Sequence, residues 1–105
     1  MPDAILARPL AIIGKPDVVA GFKALGFTVY TATEANQIGE YLHAASKAQT
    51  AVCLVQEEFY NENLEAIAGY RQAPLPIFIP FSDKARTAVL DTMVRDIRLK
   101  ATGAL

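Results

Sequence analysis

Along this chain the apolar positions switch repeatedly between short continuous runs and helical stripes. Leu10–Gly14, LAIIG, is an apolar run that ends on a turn residue. In Asp17–Leu25 the residues Val18, Val19, Phe22 and Leu25 fall on one helical face, and Gly26 follows where a helix terminus favours a left-handed residue. Phe27–Thr31, FTVYT, is rich in strand formers. Thr31 and Glu34 have the spacing of a capping box, and Thr33 is an equally good N-cap. Either one opens a helix that runs to about Lys47, with Ala35, Ile38, Leu42 and Ala45 in one stripe. Thr50–Gln56, TAVCLVQ, has the unbroken apolar character of a strand buried on both faces. Asn61–Gln72 predicts a weaker helix with Leu64, Ile67, Ala68 and Arg71 together. Leu75–Phe81 predicts a strand, and Pro76 and Pro80, each without an N–H, place it at a sheet edge or make it short. Ser82 or Asp83 can cap a last helix over residues 84–100.

The order β-α-β-α-β-α-β-α predicts an α/β fold: one small domain over residues 1–105, with a four-stranded parallel sheet flanked by helices on both faces, receiver-like or Rossmann-like. Residues 1–9 form an N-terminal extension to it. Hydrophobic residues make up 52% of the 105 and charged residues 20%, which suits a packed core and not a disordered chain. A net charge of -1 supplies no basic field for nucleic acid. With no run of about 20 apolar residues, and with Arg8 and Pro9 inside the apolar part of the N-terminus, neither a membrane span nor a signal peptide is expected. The single cysteine, Cys53, excludes an internal disulfide and fits a reducing cytoplasm.

The stretch Ile12–Tyr30 has the outline of a phosphate loop, a hydrophobic run followed by Gly14-Lys15 and further glycines, but not the chemistry. No second glycine lies four residues before Lys15, no hydroxyl follows it, and Pro16 offers no N–H to a phosphate. Gly14, Gly21 and Gly26 are also spaced too widely for a dinucleotide fingerprint. They are better explained by shape: Gly14 for a turn, Pro16 for a helix start, Gly21 for close approach of a helix to the sheet and Gly26 for a helix end. A receiver phosphorylation site fails as well. Only Asp17 follows the first strand, and Gln56, Glu57 and Glu58 follow the third where a phospho-acceptor aspartate belongs; Ser82 and Lys84 then have no phosphate partner. His43, opposite the Ile38/Leu42 stripe, is expected to be a solvated surface imidazole, and Cys53 a buried, inert thiol. Glu57 and Glu58 could pair as a general base, but they better suit a solvated loop end or a helix N-terminus, where negative charge is favoured. Tyr60, Tyr70 and Phe81 either anchor a partner or cover the ends of the sheet. No catalytic residue, cofactor site or metal site is expected.

The last helix carries a surplus. Ala85, Val89, Met93 and Ile97 make one stripe, and Leu90, Val94 and Ala101 widen the apolar arc to about half the circumference, interrupted by Arg86 and Lys100. A helix with more apolar arc than its domain needs is a candidate partner-binding element.

From about Leu10 to Gly103 the chain resembles the F subunit of the V-type (archaeal/bacterial) ATP synthase or ATPase. The resemblance is carried by AIIG and DVVAGFKALG, with Gly21-Phe22 and Gly26; by LPIFIPF, with Pro76 and Pro80; by the acidic turn VQEE at Val55–Glu58; and by the closing VRDIRLKATG, with Lys100 and Gly103. It departs from the family in having Lys15-Pro16 ahead of Asp17. The resemblance implies a non-catalytic central-stalk component, peripheral to the membrane on the cytoplasmic side. Such a component binds the D subunit of the rotor stalk, reaches the catalytic hexamer through its C-terminal helix, and holds no nucleotide of its own. Leu90, Val94, Arg95, Ile97 and Arg98 are then the expected partner contacts. A different class of function, a pseudo-receiver that binds protein without phosphorylation, fits the same residues when they are taken without the resemblance.

Overall fold

Four apolar runs become four parallel strands: β1 (Leu10–Gly14), β2 (Phe27–Thr31), β3 (Val52–Gln56) and β4 (Ile77–Phe81), in the order β2-β1-β3-β4. The computed structural model describes residues 8–82 and Arg95. The predicted helix over 84–100, with Leu90, Val94, Ile97 and Arg98, otherwise lies outside the described residues, as do residues 1–7. The connections are α1 (Pro16–Val19) and a 3-10 turn (Lys23–Leu25), then a 3-10 turn (Ala35–Gln37) leading into α2 (Ile38–Lys47), and finally α3 (Glu57–Asn61) and α4 (Leu64–Ala68). This is the predicted α/β architecture.

The strand order dictates which helix goes where. The chain steps from β1 outward to β2, then back across β1 to β3 and on to β4. With right-handed crossovers, that reversal sends the first connection to one face of the sheet and the later ones to the other. Alternation within β1 serves both faces. Ala11 and Ile13 pack with Ile38, Leu42, Ala45, Cys53, Val55, Phe59 and Ile67 beneath α2, α3 and α4. Ile12 packs with Val19, Phe22 and Phe27 beneath α1. Ile12 and Ile13 are fully buried, each worth roughly 2 kcal/mol over an exposed side chain.

The predicted helix over Asp17–Leu25 is broken. Ala20 is extended (φ -57°, ψ 136°), Gly21 has φ +93°, and the Phe22 N–H donates to Val19 O. This is the geometry of a type II turn, which requires a residue such as glycine at its third position. Gly21 therefore makes a turn where a close helix–sheet contact was expected. The turn swings Phe22 into the core, edge-to-face with Phe27 at 5.3 Å. Gly26 does end the segment in the left-handed region, at φ +92°.

The start of α2 also differs. Neither Thr31 nor Thr33 is the cap. Glu34 occupies the N-cap position of the preceding 3-10 turn, and Gln37 Oε1 accepts from the backbone N–H groups of Thr33 (2.8 Å) and Glu34 (3.1 Å). The amide competes successfully because its chain is long enough to reach two donors at once. The expected helix over Asn61–Gln72 is shortened to α4, and a separate helix not expected as an element of its own, α3, precedes it. The Asn63 amide sits between the two, its Nδ2 donating to Ala35 O and Phe59 O. As a result Phe59 and Ile67 are buried, while Leu64 and Ala68 of the predicted stripe are exposed. The third strand begins at Val52, later than expected, and the fourth at Ile77, after a cis Leu75–Pro76 peptide. The fourth strand lies at the edge, one of the two alternatives its prolines suggested; at five residues it is as long as the other three.

Candidate functional site

In an open parallel sheet the crevice for ligands lies at the carboxyl ends of the strands, where the winding direction reverses. Here that point is between Gly14 of β1 and Gln56 of β3, and it is filled from within. Gln56 is buried. Its Oε1 accepts from the Lys15 backbone N–H at 2.8 Å, and its Nε2 donates to Glu58 Oε1. Lys15 Nζ lies 3.3 Å from Glu58 Oε2, an exposed pair that contributes little to stability but closes the ring Lys15–Gln56–Glu58. A Cβ on Gly14 would sit 2.9 Å from Val19 Cγ1 and 3.0 Å from Gln56 Oε1. Gly14 ends a strand and does not form a turn: it lets α1 and Gln56 close over the tip of β1.

Two of the groups that a phosphate site would use are thereby engaged elsewhere. The Lys15 N–H belongs to Gln56, and its ammonium faces Glu58. Asp17 is exposed on α1. Glu57 and Glu58 form the first turn of α3, the helix-terminus alternative of the two expected, and with Asn61 and Ser82 they line a hollow of about 250 Å³ whose carboxylates repel phosphate. A second hollow, about 590 Å³, opens between α1 and the start of α2. Glu34 and Glu40 line it with Thr31, Thr33 and Tyr41, and among the described residues no basic side chain does. Tyr41 Oη donates to Thr31 O at 2.7 Å, so its hydroxyl is also committed. Among the described residues, no group of three His, Cys, Asp or Glu side chains is placed to hold a metal ion.

His43 is exposed, as its helical position implies. Cys53 is completely buried, and burial pushes its thiol up to about 12. Nearby, burial also raises the Tyr30 hydroxyl, with Cys53 adding to the effect. Tyr60 and Tyr70 pack against the α2 side of the core and Phe81 against the α1 side, so all three cover the sheet. Arg95, the one predicted contact residue described, is exposed.

Two features escaped the sequence reasoning. The first is Gln56, which reads as a mere strand terminus; the signal was a polar side chain at the carboxyl end of an apolar run. The second is an apolar surface. On the α1 side of the sheet, α1 and its 3-10 turn lie mainly over β1 and β2, with Leu54 and Phe81 packed at the margin of their cluster, while Leu10, Ile77 and Ile79 are exposed and Val52 and Leu54 half-buried. On this face the described residues leave β3 half-buried.

No helix among the described residues is long and apolar enough to cross a membrane. A comparison with curated proteins finds no match. The family model described as ATP synthase (F/14-kDa) subunit matches residues 10–97, a span that starts at the first residue of β1 and passes beyond the last strand. With that match over most of its length, the chain belongs to the family of ATP synthase (F/14-kDa) subunits.

Proposed function

We propose that this chain is the non-catalytic central-stalk (rotor) F subunit of a V-type ATP synthase or ATPase. In this role it binds the D subunit of the rotor stalk and takes part in coupling ATP hydrolysis or synthesis to rotation and ion transport, within the soluble sector on the cytoplasmic side of the membrane. Family membership over residues 10–97 carries the proposal. The self-satisfied ring at the strand tips supports the non-catalytic part, since Lys15, Gln56 and Glu58 bind one another. A torque-bearing part needs a stiff body, and a close-packed core on both sides of a sheet transmits strain without yielding. Leu90, Val94, Arg95, Ile97 and Arg98 are proposed as the contact surface of the C-terminal helix, the part that reaches the catalytic hexamer.

Co-expression with its own D subunit tests the reading. A stable complex that stays together through affinity capture and gel filtration is expected. Two folded proteins that elute separately would contradict it.

A further inference from the structure

The first residues of the strands form a row of their own. Because paired residues of parallel strands share a face, the register places Leu10, Val52 and Ile77 side by side across the amino ends of β1, β3 and β4. Among the described residues this row is poorly covered: Leu10 is 39% and Ile77 51% exposed, and Val52 is half-buried. The chain enters β1 right beside it, and the entry is held toward β3. The Ala51 N–H donates to Pro9 O at 2.9 Å, and Arg8 Nη1 donates to Gln49 O at 3.2 Å, so both contacts are with the segment that leads into β3. At Arg8 the backbone bends away from the line of β1. Ahead of Arg8 the sequence reads Ala4-Ile5-Leu6-Ala7, an apolar run outside the span shared with the family, which begins at residue 10.

We propose that the N-terminal extension is a strap laid across this first row, with Ile5 and Leu6 seated over Val52 and Ile77. The other exits from Arg8 offer an apolar run nothing to cover. Toward β2 the row is already closed, since Phe27, paired with Leu10, is buried and packs edge-to-face on Phe22. The opposite face lies beneath α2, α3 and α4. The dimensions allow the crossing. Neighbouring strands lie about 4.8 Å apart, so Leu10 and Ile77 are separated by about 9.6 Å. The four residues 4–7 span about 13 Å when extended, enough to pass from β1 over β3 to β4. Asp3, next in line, then falls beyond β4 in water. The strap hides a run of aliphatic side chains on each partner that would otherwise form one apolar patch at a sheet edge, the kind of surface to which other chains adhere. It lies outside the family's span, and neither the strap nor its test depends on the rotor reading.

Thiol protection in the full-length chain tests it, because the native Cys53 is buried and stays silent. Ile77→Cys and, separately, Leu10→Cys report on the first row, and Ile79→Cys reports on the second. Each is reacted with N-ethylmaleimide in two backgrounds, the native extension and the extension carrying Ile5→Asp with Leu6→Asp. The two charges lift the strap without entering either packed cluster of the core. They are expected to speed labelling of both first-row probes about tenfold and to leave Ile79→Cys unchanged, since reaction follows access to the thiol. Both first-row probes replace exposed side chains, and they share no position, so misfolding of one leaves the other decisive. Equal first-row rates in the two backgrounds would remove the extension from the row. The same acceleration at Ile79→Cys would mean a general loosening of the sheet. First-row labelling in the native background that quickens on dilution would assign the row to a second copy of the chain. Each of these three results overturns the proposal.

Discussion

Leu42→Ala is expected to lower the free energy of unfolding by about 3 kcal/mol, and the thermal midpoint by about 15 °C for a domain of this size. Leu42 is fully buried in α2, between Ile38 and Ala45, and its cluster includes Ala11 and Ile13 of β1 and Cys53 and Val55 of β3. Truncation there leaves a cavity that the sheet cannot fill by local collapse, because strands on either side hold the floor of the site in register. Leu64→Ala is the matched comparison. The sequence pattern assigns Leu64 to a buried stripe as well, but its side chain is 51% exposed, so the same truncation should change stability by no more than about 0.5 kcal/mol. Chemical denaturation of both variants separates the two cases. A loss below about 1 kcal/mol for Leu42→Ala, or equal losses for the two, would contradict the packing of α2 on the sheet.

Stability is expected to fall above pH 9 in a way that depends on Cys53. In the unfolded chain the thiol ionises at its ordinary value of 9.0; in the folded protein burial holds the proton until about 12. Between those values the unfolded state binds fewer protons, so alkaline pH favours it. The stabilising contribution of the neutral buried thiol is fully present below pH 9 and is lost as pH rises toward 12, at up to ~1.4 kcal/mol per pH unit. By pH 10.5 the loss from this group alone is about 2 kcal/mol. Urea denaturation of the native protein and of Cys53→Ala, each between pH 8 and 10.5, isolates it. The variant is less stable at every pH because of its cavity, but its curve should be shallower above pH 9. Parallel curves would mean that the thiol ionises alike in both states. The same burial implies that the native thiol resists a thiol-specific reagent at pH 8 and reacts once the chain is unfolded.

The four strands were legible because each is a short apolar run with clear punctuation: Gly14 closes β1, Gly26 opens the way to β2, and Pro76 and Pro80 mark β4 as an edge. Alternation with helical stripes was enough to specify a parallel sheet with helices on both faces. What was not legible depended on competition between local options. A glycine next to an apolar stripe is compatible with a helix or with a type II turn, and only the need to bury both Val19 and Phe22 against Ile12 and Phe27 selects the turn at Gly21. Asn63 divides α3 from α4 through a hydrogen bond to Ala35, 28 residues away, which no window on the sequence can register. Gln37 displaced two threonines as the organiser of the α2 start because its amide reaches two backbone N–H groups.

The candidate site was legible in a different sense. The motifs fail as catalytic motifs in the sequence, and the structure adds how their residues are used. Gln56 stands where a receiver would carry its acceptor aspartate and ties the end of β3 to Lys15 and Glu58. The bare apolar half-face could not be read from the sequence, because an unbroken apolar strand looks the same whether its second face is covered by a neighbouring element or not. That distinction depends on how far the short α1 extends across the sheet.

The central claim is that this protein turns with the stalk and performs no chemistry. His43→Cys places a reactive thiol on the exposed side of α2, while Cys53 remains buried and unreactive. A bead attached there can be watched in a reconstituted complex whose catalytic hexamer is fixed to a surface. On addition of ATP the account predicts that the bead rotates continuously in one direction. A bead that stays still while the complex hydrolyses ATP would contradict it.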